Sequence, residues 1–274
     1  MRAKTILITG ATDGIGRETA RQLLALGHRV LVHGRNPEKA EHAAQQLAKT
    51  SARGEALPVS GDLSRLREIS GLAQQVRSRC AELDVLINNA GVVEQSHRLS
   101  EDGFEMTMAV NHFAVFALTR SLLEFVQAAR AGRIVTVSSM VHGSGSLDLA
   151  AASFLPERRA YSGYDAYCAS KLANVLFIVE LARRLDKTPV TANCLHPGVI
   201  GTKLLRAGFA MAGAPVQEGA RTSVHLATSD AVACISGKYF SNCREAQCSA
   251  AARDPALAKA LWQASEAALA PFSR

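Results

Sequence analysis

"TGATDGIG", Thr9 to Gly16, follows the short apolar run "TILI" and leads into "RETARQLLALG". Gly10, Gly14 and Gly16 therefore fall between a strand-like and a helix-like stretch. Such a turn needs one residue without a side chain to bend tightly. A second glycine lets the backbone approach a pyrophosphate, and a third lets strand and helix pack closely. The free N–H groups of the helix start, with the positive end of its dipole, favour an anion there. Glycines are common in turns, so the spacing alone is weak. Its place after a strand, at the opening of a helix and within a βαβ unit makes it a dinucleotide-binding signal.

Working outward, β-type and helix-type stretches alternate. "RVLVHG" reads as a second strand. "NPEKAEHAAQQLAKT" reads as a helix with Asn36 as cap and Pro37 at its first position. "EALPVSGD", "DVLINNAG", "RIVTVSS", "VTANCLHPG" and "GKYFS" supply further strands. Helices are expected over "SRLREISGLAQQVRSRC", around Phe104 to Ala129, and through Lys171. The strands are continuous apolar runs, which suits a parallel sheet covered on both faces. Right-handed βα repeats then give a doubly wound, Rossmann-type α/β fold, expected as a single domain over residues 1–274. Ligands of such sheets bind beyond the carboxyl ends of the strands. Six loops are marked out, beginning near Gly10, Gly34, Asp62, Asn88, Ser138 and Pro197.

Composition narrows the class. The chain has 274 residues, 48% of them apolar, which is ordinary for a globular protein with a large core. No run of 18–20 apolar residues stands out as a bilayer span, and "MRAK" runs straight into a strand without a signal-like segment. A cytoplasmic protein without a membrane span is expected. The six cysteines are scattered and read as free thiols, with no metal-ligand spacing among them. The net charge of +7 is spread along the chain, so a site for an anionic ligand is expected rather than a nucleic-acid surface.

With the spacing Gly-x-x-x-Gly-x-Gly, the glycine turn resembles that of the short-chain dehydrogenase/reductase family. "NNAG" at Asn88 to Gly91, Asn111 in "AVNHF", "VSS" at Val137 to Ser139, Tyr167-x-x-x-Lys171 and Pro197-Gly198-x-x-x-Thr202 recur there in the same order. "SSMVH", "YCASKLANVLF", "HPG" and "SGKYFS" look like the retinol dehydrogenase and WW-domain-oxidoreductase branch. The resemblance implies an NAD(P)-dependent oxidoreductase acting on an alcohol or carbonyl. An alternative is a catalytically silent, NADP(H)-binding regulatory protein.

The cofactor contacts expected at the glycine turn are Gly10, Thr12, Asp13, Gly14, Ile15 and Gly16. The second strand ends in "HGRN" without the acid that would bond a ribose 2′-hydroxyl. Arg35, with Asn36 beside it and Arg17 at the start of the first helix, would instead receive a 2′-phosphate, favouring NADP(H) over NAD(H). By resemblance, Asp62 and Leu63 contact adenine, while Asn89, Ala90 and Gly91 line the ribose side. Asp62 or Ser64 could equally cap the next helix. Pro197, Gly198 and Thr202 would lie at the nicotinamide, Thr202 bonding its carboxamide.

"YSGYDAYCASK" offers three tyrosines, but only Tyr167 stands four residues before Lys171, on the same helix face. A free phenol has a pKa near 10 and is a poor acid/base at neutral pH. An ammonium about 4 Å away at an effective dielectric of about 20 favours the phenolate by about 4 kcal/mol, enough to bring it towards 7. Tyr167 is thus the expected acid/base, tuned by Lys171, which would also bond the nicotinamide ribose. Either Ser138 or Ser139 could steady the substrate oxygen. The resemblance selects Ser139 and adds Asn111 as a proton-relay amide.

Specificity is expected from residues 140–162 and 199–220, with the 203–216 stretch read either as a lid or as a plain surface loop. A lipophilic aldehyde, ketone or secondary alcohol would suit its apolar composition. The resemblance suggests a homodimer or homotetramer.

Overall fold

The computed structural model describes residues 2–51, 53–157, 160–209 and 211–272. The elements run β1 (Thr5–Ile8), α1 (Gly14–Ala25), β2 (Arg29–Gly34), α2 (Pro37–Lys49), β3 (Glu55–Ser60), α3 (Leu66–Arg79) and β4 (Val85–Asn88). A short α4 (Met106–Met108) and α5 (Ala114–Gln127) follow, then β5 (Arg133–Val137), α6 (Gly163–Arg184) and β6 (Thr191–His196). The chain continues through α7 (Lys203–Phe209), α8 (Val216–Thr228), β7 (Tyr239–Ser241), β8 (Arg244–Glu245) and α9 (Pro255–Leu269).

The strands form one sheet in the order β3-β2-β1-β4-β5-β6-β7-β8, parallel throughout except for β8. This is the expected Rossmann-type α/β fold. Strand order reverses between β1 and β4, and ligands of such sheets bind at that switch point. Pro58, which cannot donate to a ladder, sits in the outermost strand β3, where that lack is tolerated.

Alternation along each strand divides the core in two. Leu7, Leu31, Leu86 and Ile134 face α3, α5, α6 and α9, while Ile6, Ile8, Val30, Val32, Val85 and Ile87 face α1, α2 and α8. Asn36 caps α2 as expected, its carboxamide oxygen accepting Lys39 N–H at 3.0 Å. Gly27 follows α1 in left-handed backbone (φ +86°), as a helix-terminating glycine should. Neither Asp62 nor Ser64 caps α3. The first amide there, Leu66 N–H, donates to Asp102. No disulfide joins the six cysteines.

The helix expected around Phe104 to Ala129 is not continuous. Between α4 and α5 lies a wider π-type turn, Ala109–Phe113, which carries Asn111. Met106–Gln127 is also long and apolar enough to cross a bilayer, with a mean hydropathy of 1.2, so a stretch of that kind does exist. Some 67% of its most apolar window is buried inside the fold, as in a core helix.

α9 covers the outer side of α6. Trp262 stacks on Phe177 (5.7 Å between ring centres, 10° apart) and meets Phe116 edge-on at 4.9 Å, with Arg184 4.1 Å above its ring. Cutting a buried aromatic to alanine typically costs about 3–5 kcal/mol. Trp262→Ala should lose stability of that order, measured as a fall in the urea midpoint with an unchanged slope.

Candidate active site

A cleft of about 820 Å³ opens at the carboxyl ends of the parallel strands, lined by residues from all six expected loops. Its floor is the glycine turn. Gly10 and Gly14 adopt left-handed backbone (φ +65° and +54°), which residues with side chains rarely enter. At Gly16 a Cβ would collide with the Gly10 carbonyl and the Asn89 carboxamide.

The turn is held from both sides. Thr9 Oγ1 accepts the amides of Asn89 and Ala90 at 2.9 and 3.0 Å, and Asn89 Nδ2 donates to Thr9 O at 2.8 Å. His33 Nδ1 accepts Gly10 N–H at 3.1 Å while Nε2 donates to Gly61 O at 2.9 Å. Burial holds this imidazole neutral, pushing its pKa down to about 4. Neither Thr9 nor His33 belongs to the expected site. A lone polar side chain at the carboxyl end of an apolar strand is the signal that could have found them.

Across the cleft stand the expected reactive residues. Of the three tyrosines, only Tyr167 lines the cavity. Tyr161 donates to Glu105 Oε1 at 2.8 Å in a separate cavity of about 380 Å³, and Tyr164 is largely exposed. The two serines divide clearly. Ser138 is buried and its hydroxyl donates to Lys171 O at 2.8 Å, whereas Ser139 is half-buried in the cleft wall, near enough to Tyr167 to act on its phenol.

Lys171 is only 3% exposed, and its ammonium donates to Val137 O at 3.0 Å. Asn111, in the π-type turn, donates to Val92 O (2.9 Å) and Ser170 Oγ (3.0 Å) and accepts Val92 N–H (2.8 Å). Gly91 fits between Asn111 and Lys171. A Cβ there would lie 3.4 Å from Asn111 Oδ1 and 3.5 Å from Lys171 Nζ.

One expectation is corrected. The phenol's pKa does not fall. Burial pushes Tyr167 up from its ordinary value, with the neighbouring Cys168 acting in the same sense and Ser139 pulling more weakly the other way. Lys171 approaches the ring, 5.4 Å from its centre. Burial lowers the lysine to about 8, so desolvation acts on both members of the pair.

Among the expected cofactor contacts, Thr12, Asp13, Ile15, Arg35, Asp62, Leu63, Asn89 and Ala90 line the cleft, as do Pro197, Gly198 and Thr202. Arg17 and Asn36 do not. Arg17 projects to solvent from α1, and the side chain of Asn36 is engaged in capping α2. Arg65, which the sequence did not single out, also lines the cleft, near Asp62 and Leu63, its guanidinium paired with Glu101 at 2.7 Å.

The other end is apolar, with Met140, Val141, Val199, Ile200, Leu205, Phe209 and Met211 along its wall. Phe209 ends α7 and meets Tyr167 edge-on at 5.5 Å. α7 buries none of its residues, and its base is closed by pairing between Ile200 and Ala214. The segments expected to set specificity include Arg158, Arg159 and Ala210, which lie outside the described residues.

A glycine turn at the switch point thus faces a serine, a tyrosine and a lysine across one cleft. The short chain dehydrogenase family model matches residues 4–213. The chain is 40% identical to human (Homo sapiens) retinol dehydrogenase 14 over 97% of its own length and 86% of that relative's. It therefore belongs to the short-chain dehydrogenase/reductase family. Its fold matches an uncharacterized protein from Mycobacterium Paratuberculosis with a TM-score of 0.80 at 34% identity, covering 97% of this chain and 92% of the other. A short chain dehydrogenase from Escherichia coli CFT073, complexed with NADPH, aligns with a TM-score of 0.72 at 26% identity, covering 88% and 97%.

The residues present fit such a cofactor. Side-chain-free backbone lies at the start of α1, and the cleft falls within the roughly 300–1,000 Å³ of ordinary ligand sites. Gly16→Ala, which forces the turn apart, should weaken NADPH binding at least about tenfold, or about 1.4 kcal/mol, in a fluorescence titration.

Proposed function

We propose that this protein is an NADP(H)-dependent oxidoreductase that interconverts a lipophilic carbonyl compound and its alcohol, with Tyr167 as the acid/base. The observation that carries this reading is the placement of Ser139 and Tyr167 together in the cleft wall, with the buried Lys171 ammonium 5.4 Å from the centre of the phenol ring. When bound, the nicotinamide supplies or takes up hydride at the substrate carbon.

The chain's residues handle the oxygen and its proton. Ser139 Oγ–H donates to the substrate oxygen and steadies the charge that develops there. In the reducing direction Tyr167 Oη gives its proton to that oxygen. A phenol kept protonated by burial is in the correct form for this step. Lys171, charged below about pH 8, stabilises the phenolate left behind. Asn111 braces the Val92 and Ser170 backbone and hydroxyl groups beside Lys171, which supports the proton-relay role. The assembled set favours a working enzyme over a silent binder.

NADP(H) is favoured over NAD(H) because Arg35 lines the cleft at the end of β2, where no carboxylate stands to bond a ribose hydroxyl. The NADPH complex of the E. coli relative supports the same choice. The apolar wall from Met140 to Met211 supports a lipophilic substrate.

Screening lipophilic aldehydes and ketones for NADPH oxidation tests the reading. Tyr167→Phe should lower kcat/KM at least about 100-fold, the usual worth of a general acid, with NADPH still bound in a fluorescence titration. Retained turnover would remove Tyr167 from the mechanism. Arg35→Glu should shift the NADPH-to-NADH preference about tenfold towards NADH, since a charge-assisted phosphate contact becomes a repulsion. An unchanged ratio would reject the 2′-phosphate assignment.

A further inference from the structure

The glycine turn carries a negative charge where an anion is expected. Asp13 caps α1, its Oδ1 accepting Gly14 N–H at 2.8 Å. A carboxylate in that position satisfies an orphan amide of the helix start. It also places a full charge beside the backbone that should face a pyrophosphate, and like charges at contact distance repel.

The other carboxylate oxygen answers this. Asp13 Oδ2 is paired with Lys203 Nζ at 2.6 Å. Lys203 is the first residue of α7, on the opposite wall of the cleft. The preceding Thr202 rides on the turn, and a Cβ on Gly14 would lie 3.5 Å from Thr202 Cγ2. At its far end α7 is held by the Phe209 contact with Tyr167 and by Gln95 Nε2 donating to Gly208 O at 3.4 Å. The helix thus spans from the glycine turn to the acid/base.

The two side chains are 82% and 58% exposed. Ion pairs in that setting add little to folding stability. The effect of this one falls on the cleft it borders.

We propose that Lys203 is a cofactor-positioning residue: it neutralises Asp13 at the α1 N-terminus so that the turn can receive the cofactor's pyrophosphate, and it ties α7 to the turn. The inference rests on the nicotinamide-cofactor reading above. It assigns Lys203 a role through Asp13 rather than as an independent surface cation, and this can be tested by a double-mutant cycle on NADPH affinity. Asp13→Asn keeps the helix cap, since asparagine caps as well as aspartate. Lys203→Met removes the ammonium from an exposed position.

In the otherwise native protein, Lys203→Met should raise the NADPH Kd about fivefold, as expected for uncovering one charge at a solvent-exposed site. In the Asp13→Asn background the same change should alter Kd by less than about twofold, because no carboxylate is left to neutralise. Equal losses in both backgrounds would overturn the inference, since Lys203 would then act without Asp13. An unchanged Kd for Lys203→Met alone would overturn it as well. A native protein that fails to bind NADPH would reject the cofactor reading, and this inference with it.

Discussion

Everything at the site depends on how closely β1 and α1 approach each other. The Gly10 carbonyl, Gly16 and the Asn89 carboxamide occupy a space with no room for one additional carbon. That closeness points the first amides of α1 towards the switch point of the sheet, where the cleft opens. Thr9, Asn89 and His33 fasten the turn to β2, β4 and the loop after β3. The anion-binding feature is therefore backbone, held by hydrogen bonds whose donors and acceptors are nearly all inside the fold.

The reactive end is built around a different difficulty, an ammonium with no carboxylate partner among the described residues. Lys171 meets Val137 O, the face of Tyr167 and the edge of Gly91, and burial lowers it to about 8. A lysine so placed is readily lost as a proton donor when the surroundings change. It is correspondingly sensitive to any new negative charge beside it. Burial has the opposite sense for the phenol, which it keeps protonated.

Much of this was legible in the chain. The strand–glycine–helix succession at Thr9–Gly16 specified the fold class, because each residue type there has a steric reason. The four-residue offset singled out Tyr167, because helix geometry fixes which side chains share a face. The two serines could not be separated by sequence. Their difference arises from whether the hydroxyl is spent on the Lys171 carbonyl or left in the cleft wall near Tyr167, and both neighbours lie 28 or more positions away. The phenol's pKa rises because burial desolvates Tyr167 along with Lys171, a cost that the four-residue offset does not reveal. Arg17 and Asn36 follow the expected turns in sequence, but Arg17 is exposed on α1 and the Asn36 side chain caps α2. α7 was ambiguous between lid and loop because its apolar residues face the cavity, so no burial pattern marks it as a helix.

The wider turn at Ala109–Phe113 has a consequence for how this chain can vary. Each residue of an ordinary helix advances the side chains by about 100°. One residue removed between Met106 and Gln127 would let the backbone relax into a regular spiral and rotate Asn111 away from Val92 and Ser170. His112, whose Nε2 reaches Ser265 on α9 at 2.8 Å, would swing with it. In this segment the count of residues matters as well as their identities. An insertion or deletion of one residue there would uncouple the amide from the cleft.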